Sequence, residues 1–179
     1  MHQKFLAGLS LLLIVGVGLH VGGSASAFII TPGEQYWLST ASGNRSANGD
    51  PVTLTWSIVP DGTSVIDIGE FGNLGSSDLI ASFDAEFGGD PNGNPNNDLQ
   101  ARPWFQYLDQ SFQRWEDLSG ANYVYEPNDD GVGAGSSSPD GILGVRGDLR
   151  IAGASIDGVG GTLAFNYFPD HGDMVLDTD

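Results

Sequence analysis

The 179-residue sequence contains no cysteine and few basic residues. Without cysteine, the chain can form neither disulfides nor thiolate metal sites. Six Lys and Arg residues stand against 23 Asp and Glu residues, which gives a formal net charge of −17. Such a charge argues against nucleic acid and anionic lipid as partners, and it suits hard cations such as calcium. The alternative is that the acidic surface only keeps the protein soluble.

Only the first 27 residues contain a long hydrophobic run. Lys4 and the free N-terminus are positive, and residues 5–21 form an apolar run broken only by small residues and His20. Ala25-Ser26-Ala27 then provides a small-x-small cleavage site. This pattern predicts a secretory signal peptide over 1–27. The remaining 152 residues (179 less 27) would be secreted, monomeric and free of the membrane, with five Arg against 23 acids, a charge of −18. A membrane anchor is the alternative, because the run is near the shortest that spans a bilayer.

Histidine is the third scarce residue, with three in the whole chain. His2 and His20 leave with the predicted signal peptide, so only His171 remains. A catalytic zinc takes about three protein ligands, commonly histidines, so this chain alone cannot build one. A Ser-His-Asp hydrolase would lack the usual G-x-S-x-G turn. We interpret His171 as an exposed residue of a Pro-Asp-His-Gly turn.

The hydrophobic pattern predicts an α+β fold with a mixed, twisted five-stranded sheet and a long packed helix. Residues 52–58 alternate as a half-buried strand, with Thr53, Thr55 and Ser57 on the solvent side. Further strands are predicted at 122–126, 148–152, 161–168 and 173–177. Residues 28–51 form a polar segment, and 61–100 resemble an insertion into a domain covering 52–179.

Two segments have helical spacing. Residues 76–87 have Ser77 as the predicted N-cap and end at Gly88-Gly89. Residues 103–119 carry an apolar stripe and end at Gly120, so this helix is expected to organise the core. The members of that stripe are Trp104, Phe105, Leu108, Phe112, Trp115 and Leu118.

Four segments occur in an order that is typical of one enzyme family. They are Leu54-Thr-Trp-Ser-Ile-Val59, Phe112-Gln-Arg-Trp-Glu-Asp-Leu-Ser-Gly120 with its following strand, Asp148-Leu-Arg-Ile151, and Ile156-Asp-Gly-Val-Gly-Gly-Thr-Leu-Ala164, which continues to Gly172-Asp-Met-Val-Leu-Asp-Thr-Asp179. Together they resemble the N-terminal half of a matrixin-type zinc metalloprotease domain of the bacterial secreted kind. The resemblance implies a zincin-like fold and a metalloendopeptidase that acts on peptide or protein substrates.

In that family, a helix with H-E-x-x-H-x-x-G-x-x-H follows the last of these strands and holds the catalytic zinc. The sequence ends at Asp179 within a strand pattern, which indicates a protein cut short before that helix. The chain as given is therefore expected to carry no catalytic residue and to be inactive. We also expect no structural zinc, since family ligand positions fall on Phe165 and Val175.

The resemblance implies calcium at one turn and the end of the last strand. The corresponding residues are Asp157, Gly158, Gly160, Thr162, Asp177 and Asp179. Asp148 and Asp173 match residues of a second calcium site, although the loop before Asp173 is shortened. An ordinary glycine turn is the alternative for Asp157-Gly158.

The segment from Leu163 through Ala164 and Phe165 matches the edge strand on which matrixins lay an extended substrate. Leu163, Phe165 and Tyr167 are also expected to face the core. Two other functions remain open: a non-catalytic secreted calcium-binding domain, and a β-rich carbohydrate-binding module that exposes some of Tyr36, Trp37 and Trp56.

Overall fold

A computed structural model describes residues 37–44, 51–91, 98–135, 139–167, 169 and 172–179. The predicted signal peptide, Tyr36 and His171 lie outside these residues. All described residues belong to one compact unit that covers Pro32–Asp179. Neither α-helix within the described ranges has the length and apolar character that crossing a bilayer requires.

The described residues form ten strands, two α-helices and one short 3₁₀-helix. In chain order these are β1 (Ser39–Thr40), β2 (Gly43–Asn44), β3 (Thr53–Ile58), β4 (Ser64–Asp67), β5 (Gly72–Ser76), α1 (Leu79–Phe87), the 3₁₀-helix (Leu99–Ala101), α2 (Phe105–Ser119), β6 (Asn122–Tyr125), β7 (Ala134–Gly135), β8 (Leu149–Ala154), β9 (Ala164–Asn166) and β10 (Met174–Asp177).

The central sheet has five strands in the order β6-β3-β8-β10-β9. Strands β6, β3, β8 and β10 run parallel, and β9 runs antiparallel to β10 at one edge. The α+β class and the mixed five-stranded sheet are thus confirmed. All five predicted strands are present, although the fourth covers only Ala164–Asn166 rather than 161–168.

One face of the sheet packs against the helices through a largely aromatic core. Trp56 stacks on Phe105 and Phe112 with ring centroids 5.4 and 4.5 Å apart, and it tilts against Tyr125 at 4.6 Å. Ile151 of β8 belongs to the same cluster. We call this side of the sheet the helix face.

The opposite face packs against a second, three-stranded sheet of order β5-β4-β7. Its apolar core uses small side chains, among them Val65, Ala152 and Val175. This second sheet arises largely from residues 61–76, within the segment predicted as an insertion. We call this side of the central sheet the second face.

The half-buried interpretation of β3 is wrong. Thr55 and Ser57 are 2% and 0% exposed, so both sides of the strand are covered. Alternation of apolar and polar residues predicts a solvated polar face. Here the polar side chains instead hydrogen-bond to buried carboxylates, Thr55 to Asp148 and Ser57 to Asp129.

Helix α1 begins at Leu79 with Asp78 as its N-cap, one residue later than the predicted cap Ser77 implies. Ser77 is buried, and its hydroxyl accepts a bond from the Gly153 N–H at 3.3 Å. The free N–H groups of the first turn are bound by Asp61, whose carboxylate accepts from Ile80 and Ala81 at 3.0 and 2.9 Å. A cap supplied from outside the helix has no local sequence signal.

Only the first half of α2 contributes to the core. Phe105 is buried and Phe112 is partly buried, but Trp115 and Leu118 are 61% and 63% exposed. The expectation that these last two residues are core residues is wrong. Phe112 contacts Tyr123 on the outermost strand β6, and one turn later Glu116 accepts a hydrogen bond from the Tyr123 N–H. Trp115 and Leu118 lie on the solvent side of this part of the helix. Gly120 ends the helix as predicted, with φ of 71°.

Candidate functional site

Strand β9 lies at an edge of the central sheet and pairs with β10 alone among the described strands. The Tyr167 N–H donates to Asp173 O, and the Asp177 N–H donates to Leu163 O, both at 2.9 Å. Backbone groups alternate in direction along an antiparallel strand. The backbone groups of Ala164 and Asn166 therefore point away from β10, towards the open edge.

The three residues predicted for this edge strand differ from one another in where their backbone and side chains point. Ala164 directs its backbone outward, whereas Phe165 pairs with Val175 and its ring stacks on Phe71 at 5.1 Å. Leu163 precedes the strand and is 79% exposed, so its expected place in the core is wrong. Leu163 lies in the loop that leads into β9, and its side chain is exposed to solvent there.

The predicted calcium turn is organised by its own hydrogen bonds. The two carboxylate oxygens of Asp157 accept from the N–H and the hydroxyl of Thr162, at 2.7 and 2.9 Å. The Gly161 N–H donates to Gly158 O at 3.0 Å. Gly158 and Gly160 both have positive φ, 91° and 83°, which explains glycine at these positions.

The end of β10 lies beside the start of this turn. Asp177 accepts a bond from the Ile156 N–H at 3.1 Å, and Asp179 accepts one from the Ser155 hydroxyl at 2.6 Å. The structure thus brings both predicted aspartates to the segment that leads into Asp157. Calcium at this turn stays a prediction.

Asp148 and Asp173, the two residues of the second predicted calcium site, bind different parts of the fold. Asp148 accepts from the N–H groups of Thr55 and Ala41 at 2.8 and 2.7 Å, and so ties the β1–β2 hairpin to β3. Asp173 accepts from the Gly135 N–H at 2.8 Å. Both carboxylates are buried and hydrogen-bonded within the protein.

Arg150 is the charged residue that sequence reasoning missed. Its side chain is fully buried on the second face and forms two hydrogen bonds with Asp129, at 2.9 and 2.7 Å. A carboxylate oxygen of Asp173 lies 3.7 Å from a terminal nitrogen of the same guanidinium. Burial alone would lower the pKa of Arg150, but the hydrogen bond and charge of Asp129, followed by the charge of Asp173, raise it above its ordinary value. An arginine in an otherwise apolar strand was the available signal.

Asp129 connects this pair to the rest of the sheet. Besides Arg150, it accepts from the Ser57 hydroxyl at 2.8 Å, and Ser57 in turn accepts from the Gly147 N–H at 3.0 Å. Arg150 also donates to Val132 O at 2.7 Å. The network therefore holds the loop that follows β6 against β3 and β8.

Within the described ranges, no group of three or more His, Asp or Glu side chains is arranged to hold a metal ion. Trp37 and Trp56 are 9% and 1% exposed, so neither offers a stacking surface to a sugar. Comparison with known proteins finds no matching family model, no matching curated protein and no matching solved structure.

Proposed function

We propose that this chain is part of a secreted, matrixin-like zinc metalloendopeptidase and contributes the strand along which a peptide substrate lies. The observation that carries the proposal is the open edge of β9. A substrate in extended conformation would add a strand there and pair with the outward backbone groups of Ala164 and Asn166. The mixed five-stranded sheet agrees with what the sequence resemblance implies.

The proposal assigns zinc to a segment that would follow residue 179 in the longer protein. No three His, Asp or Glu side chains of the described residues are arranged to hold a metal ion. At the two family positions for structural zinc, Phe165 packs on Phe71 and Val175 is fully buried. These side chains fill space in the core and have no metal-binding atom.

Reading the coding sequence beyond codon 179 tests the assignment directly. We expect H-E-x-x-H within about 15–50 residues, followed by the third histidine. The protein purified from the medium should then cleave a general protein substrate, lose activity with a zinc chelator and regain it with added zinc. A stop codon at position 180, or a continuation without the motif, would contradict the proposal and favour a non-catalytic domain.

Proline substitution tests the role of β9 in the longer protein. Asn166→Pro removes an N–H that points to the open edge, where proline is compatible with an edge strand. We expect kcat/KM for peptides to fall roughly tenfold, mainly through KM, with an unchanged melting temperature. Phe165→Pro is the matched control, because its backbone faces β10 and its loss should destabilise the sheet. Unchanged kinetics in folded Asn166→Pro would exclude β9 as the docking strand.

The proposal includes a stabilising calcium ion at the turn formed by residues 157–162. Calcium that binds only the folded state raises the free energy of unfolding, by about 2.7 kcal/mol at 100 times its Kd. Thermal melting with calcium and with chelator measures this effect. Asp177→Asn should abolish the response, whereas Asp109→Asn, on α2, should keep it. Equal melting temperatures with and without calcium would remove this part of the proposal.

A further inference from the structure

The solvent side of α2 carries a shallow groove of about 530 Å³, which we call the α2 groove. Its described lining recurs at helical spacing, at positions i, i+3, i+4, i+7, i+8 and i+11 of one helix face. The lining residues are Tyr107, Gln110, Ser111, Arg114, Trp115 and Leu118. Large apolar side chains that are exposed together and are rimmed by polar ones mark an interaction site.

Two aromatic side chains stand at separate points along the α2 groove. Tyr107 and Trp115 are 57% and 61% exposed. They are eight residues apart on one straight helix, so their backbone positions lie about 12 Å apart along its axis. The Tyr107 ring packs against Phe87 of α1, with centroids 6.0 Å apart, which restricts its orientation. The groove therefore offers two apolar ring surfaces in a line.

Exposed polar side chains lie between these two rings. The Gln110 amide can both donate and accept hydrogen bonds, and the Arg114 guanidinium has five N–H donors. The Ser111 hydroxyl donates to Tyr107 O at 2.8 Å, so its oxygen can still accept. Arg114 is the only arginine of the described ranges that forms no ion pair there, because the other three each pair with an aspartate.

We propose that the α2 groove binds a neutral, extended polysaccharide of β-1,4-linked pyranose units. A pyranose ring has apolar C–H faces and a rim of hydroxyl groups, so it matches aromatic surfaces with hydrogen-bonding groups between them. Alternate units of such a chain present the same face, and two of them would stack on Tyr107 and Trp115.

The charge of the protein selects this ligand over two others. The net charge of −17 repels an acidic polysaccharide, and it also repels a second copy of the chain, which carries the same charge. A neutral polysaccharide meets no such barrier, and Arg114 can donate to its hydroxyl groups. This inference does not rest on the proposed peptidase function, because it uses no residue of the edge strand.

Titration of the isotope-labelled chain with cellohexaose and with chitohexaose, followed by NMR shifts, tests the proposal. Saturable shifts are expected at the amides of residues 107–118 and at the Trp115 indole N–H with at least one of the two sugars. Maltohexaose, whose α-linked chain coils, should bind roughly tenfold more weakly or worse. Absence of saturable shifts with both β-linked sugars, or equal affinity for maltohexaose, would overturn the proposal.

Trp115→Ser and Tyr107→Ser each remove one stacking surface and should weaken binding of the β-linked sugar roughly tenfold. Leu143→Ser is the matched control, because Leu143 is 58% exposed but lies outside the groove, and affinity should not change. Wild-type affinity in folded Trp115→Ser would contradict the proposal. If the variants fail to fold, the sugar series on the wild-type chain decides.

Sedimentation of the chain without sugar tests the other occupant of the α2 groove. A monomer at all concentrations is expected. A dimer that forms with rising concentration and is lost in Trp115→Ser would assign the groove to a second copy of the chain and would overturn the proposal.

Discussion

The two faces of the central sheet are both buried, yet they are stabilised in different ways. On the helix face, Trp56 and Ile151 meet the aromatic side chains of α2. On the second face, Thr55, Ser57 and Arg150 meet buried carboxylates. The same strands β3 and β8 supply both sets, because successive side chains of a strand point to opposite faces.

This difference shows that a polar strand face can be an interior face when its partners are provided elsewhere in the chain. Apolar contacts on the helix face are non-directional, so this face tolerates replacement of a side chain by another of similar volume. The buried charges of the second face require matched partners, since removal of one leaves the other uncompensated. We therefore expect the second face to be the more sensitive to single polar substitutions.

Replacement of Arg150 should have the largest effect on the second face. Arg150→Met leaves Asp129 and Asp173 buried without their cation, and we expect a loss of about 3–5 kcal/mol in unfolding free energy. Denaturant unfolding followed by circular dichroism measures it. Arg114→Met, at an exposed site, is the control and should change little. A loss below about 1 kcal/mol for Arg150→Met would show that the network contributes little.

A cavity on the helix face should have a comparable or smaller effect. Leu79 is fully buried in the aromatic cluster, so Leu79→Ala is expected to cost about 2–5 kcal/mol. Leu118→Ala makes the same chemical change at a 63% exposed position of α2 and should cost far less. Equal losses in the two variants would contradict the assignment of the core to the first half of α2.

Asp67 of the second sheet accepts a hydrogen bond from the Tyr167 hydroxyl. This residue should make the stability of the second face sensitive to acid. Hydrogen bonds from the Phe71 N–H and then the Tyr167 hydroxyl lower the pKa of Asp67 below its ordinary 3.8. The stability it contributes is present above that ordinary value and is lost as pH falls through the lower folded-state pKa. Asp67→Asn should cost about 1 kcal/mol at neutral pH.

Unfolding measured from neutral pH down to about pH 2 tests this assignment. The Asp67→Asn variant should lose less stability than the wild type as the pH drops below about 4. Asp117→Asn, at an exposed site of α2, is the control and should follow the wild-type curve. Parallel curves for Asp67→Asn and the wild type would exclude Asp67 as an acid-sensitive group.

Trp115 should have the smallest effect, although its residue type suggests a core position. Trp115→Ser, at a 61% exposed site, should change the unfolding free energy by no more than about 0.5 kcal/mol. Trp104→Ser, at a 1% exposed site, is the matched comparison and should cost several times as much. A large loss for Trp115→Ser would place the end of α2 in the core after all.

Local patterns predicted most of the secondary structure. They failed where a contact with a distant segment determines where a helix begins or which side chains are paired. The end of α2 at Gly120 is encoded locally, because glycine adopts the left-handed conformation without strain. Asp61 caps α1 from 19 residues away, and no local pattern around Leu79 indicates this. Likewise, the sequence around Asp129, in the loop that follows β6, gives no sign that this residue binds Arg150.

Of the candidate site, the position of β9 at an edge agrees with the sequence resemblance, but the direction of its backbone groups does not follow from it. Pairing with β10 selects Ala164 and Asn166 as the outward residues, because the register decides which N–H groups are already bonded. The sequence also does not predict a cleft lined by Ile58, Ile80 and Arg102, because its walls come from four separate segments of the chain.

The sequence by itself determined the acidic charge, the absence of thiol chemistry, the α+β class and the positions of the five central-sheet strands, because composition and short-range periodicity encode these properties. Tertiary structure alone decided which polar residues are buried, which aromatic residues of α2 are exposed and which carboxylates hold Arg150. These outcomes depend on contacts between residues far apart in the chain, and hydrophobic periodicity reports only one-sided burial within a single element.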